Sequence, residues 1–168
     1  NRALFGNNFF DITKAVTLFH PFWNAKEPFW FLVQPMPLYF WLIPIFAFLG
    51  LILNRRNKNI LFFGFIALLG IFLTKQVGEP LGYIYRWLFE NFPGFNAFRE
   101  ASKFYSLIAF SYSVLIGSFI AWLWKNWKKQ KWQIYGKYFL TILIAFIFLC
   151  NTKSLITGEI ETMFKPRS

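Results

Sequence analysis

The feature that most constrains this chain is the stretch 104–124, which carries no charged side chain. A helix that crosses a bilayer needs about 20 mostly apolar residues, and it satisfies its backbone amides within the segment. This stretch meets that requirement and ends in Trp122 and Trp124, just before Lys125. Three other runs approach it. Residues 38–53 are apolar but contain Pro44, which predicts a kink. Residues 60–77 reach sufficient length if Lys75 snorkels towards the interface. Residues 138–153 run through Cys150 and fray among Asn151, Thr152 and Lys153. Composition points the same way. Charged residues are 15% of the chain, against roughly 25% in soluble domains, and there are 25 phenylalanines. So much apolar surface would leave large sticky patches in water. The aromatic content of 24% excludes disorder, and a single cysteine excludes a disulfide scaffold. The expected fold is an all-α integral membrane protein with about four transmembrane helices.

The net charge of +11 would suit a nucleic-acid binder if the charges shared one solvated face. They do not. Arg55, Arg56 and Lys58 fall in 54–59, and Lys125, Lys128, Lys129, Lys131 and Lys137 fall in 125–137. Neither segment has an acid; all seven acids lie elsewhere. Basic clusters beside apolar runs mark loops retained in the cytoplasm. Segments 54–59 and 125–137 net +3 and +5, whereas 1–37, 75–103 and the stretch after Cys150 each net +1. The expected order is therefore an extracytoplasmic segment (1–37), spans at 38–53 and 60–77 around the inner loop 54–59, an outer loop (78–103), spans at 104–124 and 138–153 around the inner loop 125–137, and an outer tail (154–168). Nucleic acid is excluded as a partner. Trp30, Trp41, Trp87, Trp122, Trp124, Trp127 and Trp132 fall near the resulting interfaces, where indole rings are stable. An outer first segment without an initiator Met or a signal peptide implies that something upstream carried it across, so the chain reads as an internal piece of a larger polytopic protein. The bilayer and the remaining helices of the same polypeptide are then its first partners.

The outer segments are themselves apolar. Ile12, Ala15, Val16 and Phe19 follow helical spacing, with Asn8 placed to cap the helix and Asp11 in its first turn, predicting a helix on the outer leaflet. Pro21, Pro28, Pro35 and Pro37 keep the following chain extended or turning. In the loop 78–103, Glu79-Pro80 supplies a helix start, and Leu81, Ile84, Tyr85, Leu88 and Phe92 form an apolar stripe. Arg86 and Glu90 make an i,i+4 pair, and Pro93-Gly94 ends the helix. This predicts an interfacial or re-entrant amphipathic helix. Ala109, Ser113, Gly117 and Ala121 recur every four residues, the pattern of a helix-packing seam; oligomer contact or a substrate groove are the other uses of such a stripe.

Chemistry-bearing motifs are scarce. The sequence has no GxxxxGK[ST], GxSxG or HExxH. His20 and Cys150 are isolated, so no metal site and no cofactor is identified; a divalent cation in a full-length protein is left open. Charged groups at the outer mouth of the third span stand out: Arg99, Glu100 and Lys103, with Glu79 and Arg86 nearby in sequence. Charges at membrane depth mark a pathway or headgroup site, and Arg holds phosphate by paired hydrogen bonds. The plainer alternative is that they fix the helix at the interface and pair with each other.

The segment Asn91-Phe92-Pro93-Gly94-Phe95-Asn96-Ala97-Phe98-Arg99-Glu100-Ala101-Ser102-Lys103-Phe104 carries a resemblance. An FxxFRExxKF stretch after a Pro-Gly turn, opening a membrane helix, resembles a motif of large bacterial membrane glycosyltransferases of the GT-C superfamily, nearest to the arabinofuranosyltransferase-D-like and YfhO-like proteins. Those families often have Pro where this chain has Ala101. The resemblance implies a multi-pass protein of the plasma membrane that uses a polyprenyl-phosphate-linked sugar on its outer face for cell-envelope glycan or glycoprotein assembly. It further implies a catalytic Asp or Glu in a first outer loop that this stretch does not include, so no catalytic residue is assigned. Arg99 and Lys103, with Glu100 and Glu79, become the expected lipid-phosphate or substrate-binding residues. A transporter or flippase of lipid-linked sugars, or a non-catalytic membrane scaffold, are the alternatives.

Overall fold

A computed structural model describes residues 11–19, 36, 38–127 and 131–151. Asn8, His20, the prolines at 21, 28, 35 and 37, and the tail 154–168 lie outside the described residues, as do the side chains of Trp132 and Cys150. All regular structure among the described residues is helical: α1 (Ile12–Thr17), α2 (Leu42–Leu53), α3 (Lys58–Lys75), α4 (Gly82–Asn91), α5 (Tyr105–Asn126) and α6 (Lys131–Asn151). Short 3₁₀ segments precede α2 (Leu38–Trp41) and α5 (Phe95–Arg99 and Ala101–Phe104). Among the described residues two helical runs are long and apolar enough to cross a membrane, Lys58–Lys75 and Ala101–Asn126; Leu38–Leu53 and Gln133–Leu149 are shorter apolar stretches.

The helix limits follow local chemistry. Pro44 lies in the first turn of α2, where its missing N–H removes no intrahelical bond, so the expected kink becomes a 3₁₀-to-α junction at Trp41/Leu42. Asn57 starts α3 by accepting from the Asn59 N–H at 3.0 Å. Helix α6 begins at Lys131, ahead of the span expected from 138, with Gly136 accommodated inside it. Lys137 therefore stands on α6 and not in the loop. Asp11, not Asn8, caps α1, its carboxylate accepting from Lys14 N–H at 2.8 Å.

The chain divides into two compact units, one of residues 1–21 and 36–122 and the other of 22–35 and 123–168. In the first unit α5 presents Ile108, Ser111, Tyr112, Leu115, Ile116 and Phe119 as its buried face. Glycines on the neighbouring helices make the closest approaches. A side chain at Gly50 of α2 would overlap the Leu115 carbonyl, and a Cβ at Gly70 of α3 would come within 2.8 Å of Ile108 Cγ1. Asn54, at the end of α2, donates from one amide to Gly50 O (3.0 Å) and Ser118 O (3.2 Å), tying α2 to α5 by backbone carbonyls. Phe46 stacks on Phe119 with ring centroids 5.6 Å apart.

Within this unit the buried side of α5 is not the one that carries the expected seam. Ala109, Ser113, Gly117 and Ala121 lie on the exposed side of α5, and a Cβ at Gly117 would meet nothing within 4 Å. Ser113 donates to Ala109 O of its own helix at 2.8 Å and not across a contact. Close approach needs a small residue on only one of two helices, and α2 and α3 supply it.

Helix α1 packs into this unit. Ala15, Thr17 and Phe19 are buried, and α1 contacts both α2 and α3. Tyr105 and Tyr112 of α5 donate to Phe19 O (3.1 Å) and Val16 O (3.0 Å). These bonds close the carbonyls at the end of a six-residue helix too short to persist alone. The sequence pattern, read as a helix lying on the outer leaflet, held no sign of them. In the second unit Leu123, Ile144 and Ile147 are buried, and Trp124 packs edge-on to Tyr138 (5.3 Å), donates to Thr141 Oγ1 (3.4 Å) and has the Lys137 ammonium 4.6 Å from its ring centre.

Replacing Gly50 with Ala should separate α2 from α5 and cost about 1–3 kcal/mol by overpacking. Gly117→Ala should be neutral or slightly stabilising, since Ala is the better helix former. Thermal unfolding of the two variants in detergent tests the contrast; equal melting temperatures would refute the glycine contact.

Candidate functional site

The segment between α3 and α5 folds into a capsule over the last turn of α3. Leu73 and Tyr85 form its buried centre, with Phe72, Val77, Phe89, Phe95 and Phe104 packed around them. Ring contacts run in sequence from Phe72 through Tyr85, Phe95 and Phe98 to Phe104, with centroids 5.3–5.9 Å apart. Helix α4 starts at Gly82, later than the Glu79-Pro80 start expected, after a turn that includes a cis Glu79–Pro80 peptide and a left-handed Leu81. Gly82 is required there because a side chain would overlap Val77 O. Gly82 and Tyr85 are buried, Ile84, Leu88 and Phe89 are half-buried, and Leu81 and Phe92 of the expected stripe are exposed.

Polar bonds hold the capsule shut. Tyr85 Oη donates to Phe98 O at 2.8 Å, and Gln76 Nε2 donates to Arg99 O. Burial pushes the Tyr85 hydroxyl up to about 12, while a hydrogen bond with Gln76 pulls the other way. Gln76 adopts φ 50°, ψ −120°, a strained conformation for a residue with a side chain, of order 1–3 kcal/mol, which the surrounding contacts must hold. Lys75 reaches the turn that follows α3. It is buried, donates to Gly78 O at 2.8 Å and lies 5.3 Å from the Phe72 ring centre.

The expected site residues sit on this frame. Arg99, Glu100 and Lys103 are exposed at the start of the run leading into α5, with the Arg99 carbonyl fixed by Gln76. Lys103 pairs with Glu100 at 2.7 Å, which lowers the Glu100 carboxyl from its ordinary range. Glu79 is exposed on the turn before α4, close enough to act electrostatically on Lys75. The plainer alternative, acid and base pairing with each other, thus holds for Glu100 and Lys103. Arg86 and Glu90 are exposed on α4. Among the described residues no group of three or more His, Cys, Asp or Glu could hold a metal ion, so a divalent cation finds no ready ligand set there. Sequence reasoning missed Gln76 and the polar role of Tyr85. A tyrosine inside an otherwise aliphatic and phenylalanine-rich stripe was the available signal, since a buried phenol finds an acceptor.

Compared with family models, curated proteins and solved structures, the chain matches none.

Tyr85→Phe should leave the Phe98 carbonyl without its donor, costing about 1 kcal/mol and raising amide exchange over 95–104. The pH dependence has a definite sign. Because burial raises the Tyr85 hydroxyl from 10.0 to about 12, its contribution is intact below pH 10 and is lost as the pH rises towards 12. Exchange in this loop should accelerate over that window in the native chain, and the Tyr85-dependent part should vanish in Tyr85→Phe.

Proposed function

We propose that this chain is the transmembrane portion of a plasma-membrane glycosyltransferase that uses a polyprenyl-phosphate-linked sugar in cell-envelope glycan or glycoprotein assembly. On this reading Leu38–Leu53, Lys58–Lys75, Ala101–Asn126 and Lys131–Asn151 all cross the bilayer, with the turns after Leu53 and Asn126 cytoplasmic and both ends of the chain outside. The observation that carries it is the FxxFRExxKF segment. Its backbone is held by Gln76 and Tyr85, while the Arg99 and Lys103 side chains remain exposed where the chain turns into α5. A guanidinium and an ammonium on a fixed backbone suit a phosphate diester at the membrane boundary. The exposed apolar side chains of α3, such as Phe62 and Phe65, suit contact with lipid tails. The catalytic carboxylate lies elsewhere in the protein on this reading.

A second reading, transport of lipid-linked sugars, draws on Thr74 and Ser111, buried hydroxyls without hydrogen-bond partners inside apolar helices. Polar groups in such positions suit a passing substrate. Movement of the lipid-linked sugar across vesicles without glycosyl transfer would favour it.

Two experiments test the leading reading. With Cys150 replaced by Ser, cysteines at Lys58 and Glu90 should react with an impermeant maleimide from opposite sides, Glu90 from outside; labelling from one side would refute the topology. Arg99→Ala with Lys103→Ala in the whole protein should weaken donor binding by about tenfold or more, as expected for losing charge-assisted hydrogen bonds. Unchanged donor affinity and turnover would overturn the assignment.

A further inference from the structure

Three consecutive residues at the end of α3 each carry a cost that the closed capsule leaves unrelieved. Thr74 Oγ1 is fully buried and has no hydrogen-bond partner among the described residues. Lys75 is 3% exposed, and its ammonium has three donors but one acceptor, Gly78 O at 2.8 Å, with no ion pair among the described residues. Gln76 holds the first central position of the turn Lys75–Gly78, which Gly78 N–H closes by donating to Lys75 O at 2.9 Å. Its φ 50° and ψ −120° are type II′ values that glycine usually takes. A glycine there would lack the amide that holds the Arg99 carbonyl. Strain and unmet hydrogen bonding gathered on neighbouring residues point to function at that place rather than to stability.

We propose that Thr74 and Lys75 form a covered phosphate site, with the segment 95–104 as its lid and Gln76 and Tyr85 as the latch. The hydroxyl and the ammonium put donors on adjacent residues, which is what phosphate oxygens accept. Glu79, exposed on the following turn, acts electrostatically on Lys75 without pairing with it, and a phosphate replaces that distant partner by a direct one. Phe65, Leu68 and Phe72 share the face of α3 that ends at Lys75, at spacings of three and four, and Phe65 and Leu68 are exposed. An apolar track that ends in an ammonium matches a prenyl phosphate, whose chain follows the track. The prenyl chain rests on the glycosyltransferase reading; the phosphate site does not. Opening the lid breaks the bonds to the Phe98 and Arg99 carbonyls and relieves all three costs at 74–76, so a phosphate selects the open state.

The test is calorimetric titration of the whole protein in detergent with geranyl phosphate and with inorganic phosphate. Lys75→Met should weaken geranyl phosphate binding by about tenfold or more. Thr74→Val, which keeps the shape and removes the hydroxyl, should weaken binding while raising the melting temperature, because a buried unpaired hydroxyl is gone. Tyr85→Phe, which removes one bond of the latch, should tighten binding. Unchanged affinity in Lys75→Met overturns the site, as does a Thr74→Val variant that melts lower and binds normally; the latter decides the matter if Lys75→Met fails to fold. Unchanged affinity in Tyr85→Phe overturns the lid. Inorganic phosphate should bind more weakly than geranyl phosphate, and equal binding would refute the prenyl occupant. If Lys75→Met loses geranyl phosphate while Arg99→Ala with Lys103→Ala keeps donor affinity and turnover, the glycosyltransferase assignment falls and the phosphate site stands.

Discussion

At Gly50 the α2 backbone lies against the carbonyl of Leu115 with no side chain between them, and at Gly70 the α3 backbone lies against the Ile108 side chain. The first unit depends on these approaches. Helices whose outward and inward residues are equally apolar gain little from hydrophobic sorting, so close packing and backbone-directed hydrogen bonds must decide which faces meet. Asn54 supplies such a bond across α2 and α5, and Tyr105 and Tyr112 supply two more to α1. In each case a side-chain donor reaches a carbonyl on another element. The choice of face is thus made by a few small or polar positions.

The same logic governs the outer loop. An aromatic cluster alone would tolerate several arrangements, since rings pack in many geometries. Tyr85 and Gln76 remove that freedom by donating to consecutive carbonyls, those of Phe98 and Arg99. They fix the backbone that presents Arg99, Glu100 and Lys103 at the start of the run into α5. The Lys103–Glu100 pair is exposed and contributes little to stability. Its value to a phosphate-binding site would be to keep a cation positioned and exchangeable.

Much of this was legible in the residues. The helical stretches at 38–53, 60–77 and 104–124 appear within a few residues of those limits, because uncharged apolar runs bounded by charge leave few other options. Arg99, Glu100 and Lys103 were identifiable as an exposed charged cluster before an apolar helix. The faces were harder. Ala109, Ser113, Gly117 and Ala121 satisfy the spacing of a seam, yet α5 uses the side bearing Tyr112 and Leu115. Spacing identifies which residues share a face but not whether a partner has the complementary relief.

What the sequence determined by itself is the class of structure: long, uniform apolar runs that fold as helices, because a helix satisfies its backbone amides within the segment. It also determined where charge could collect, since basic residues are absent from the stretch 104–124 and gather beside the apolar runs. Only the tertiary structure decided that Gly50 and Gly70 are the contact points, that Lys75 reaches Gly78, and that α1 docks on tyrosines nearly a hundred positions away. The physical reason is range. Helix formation is governed by neighbours within a turn, whereas a close approach or a donor–acceptor pair between distant segments exists only once both surfaces are in place.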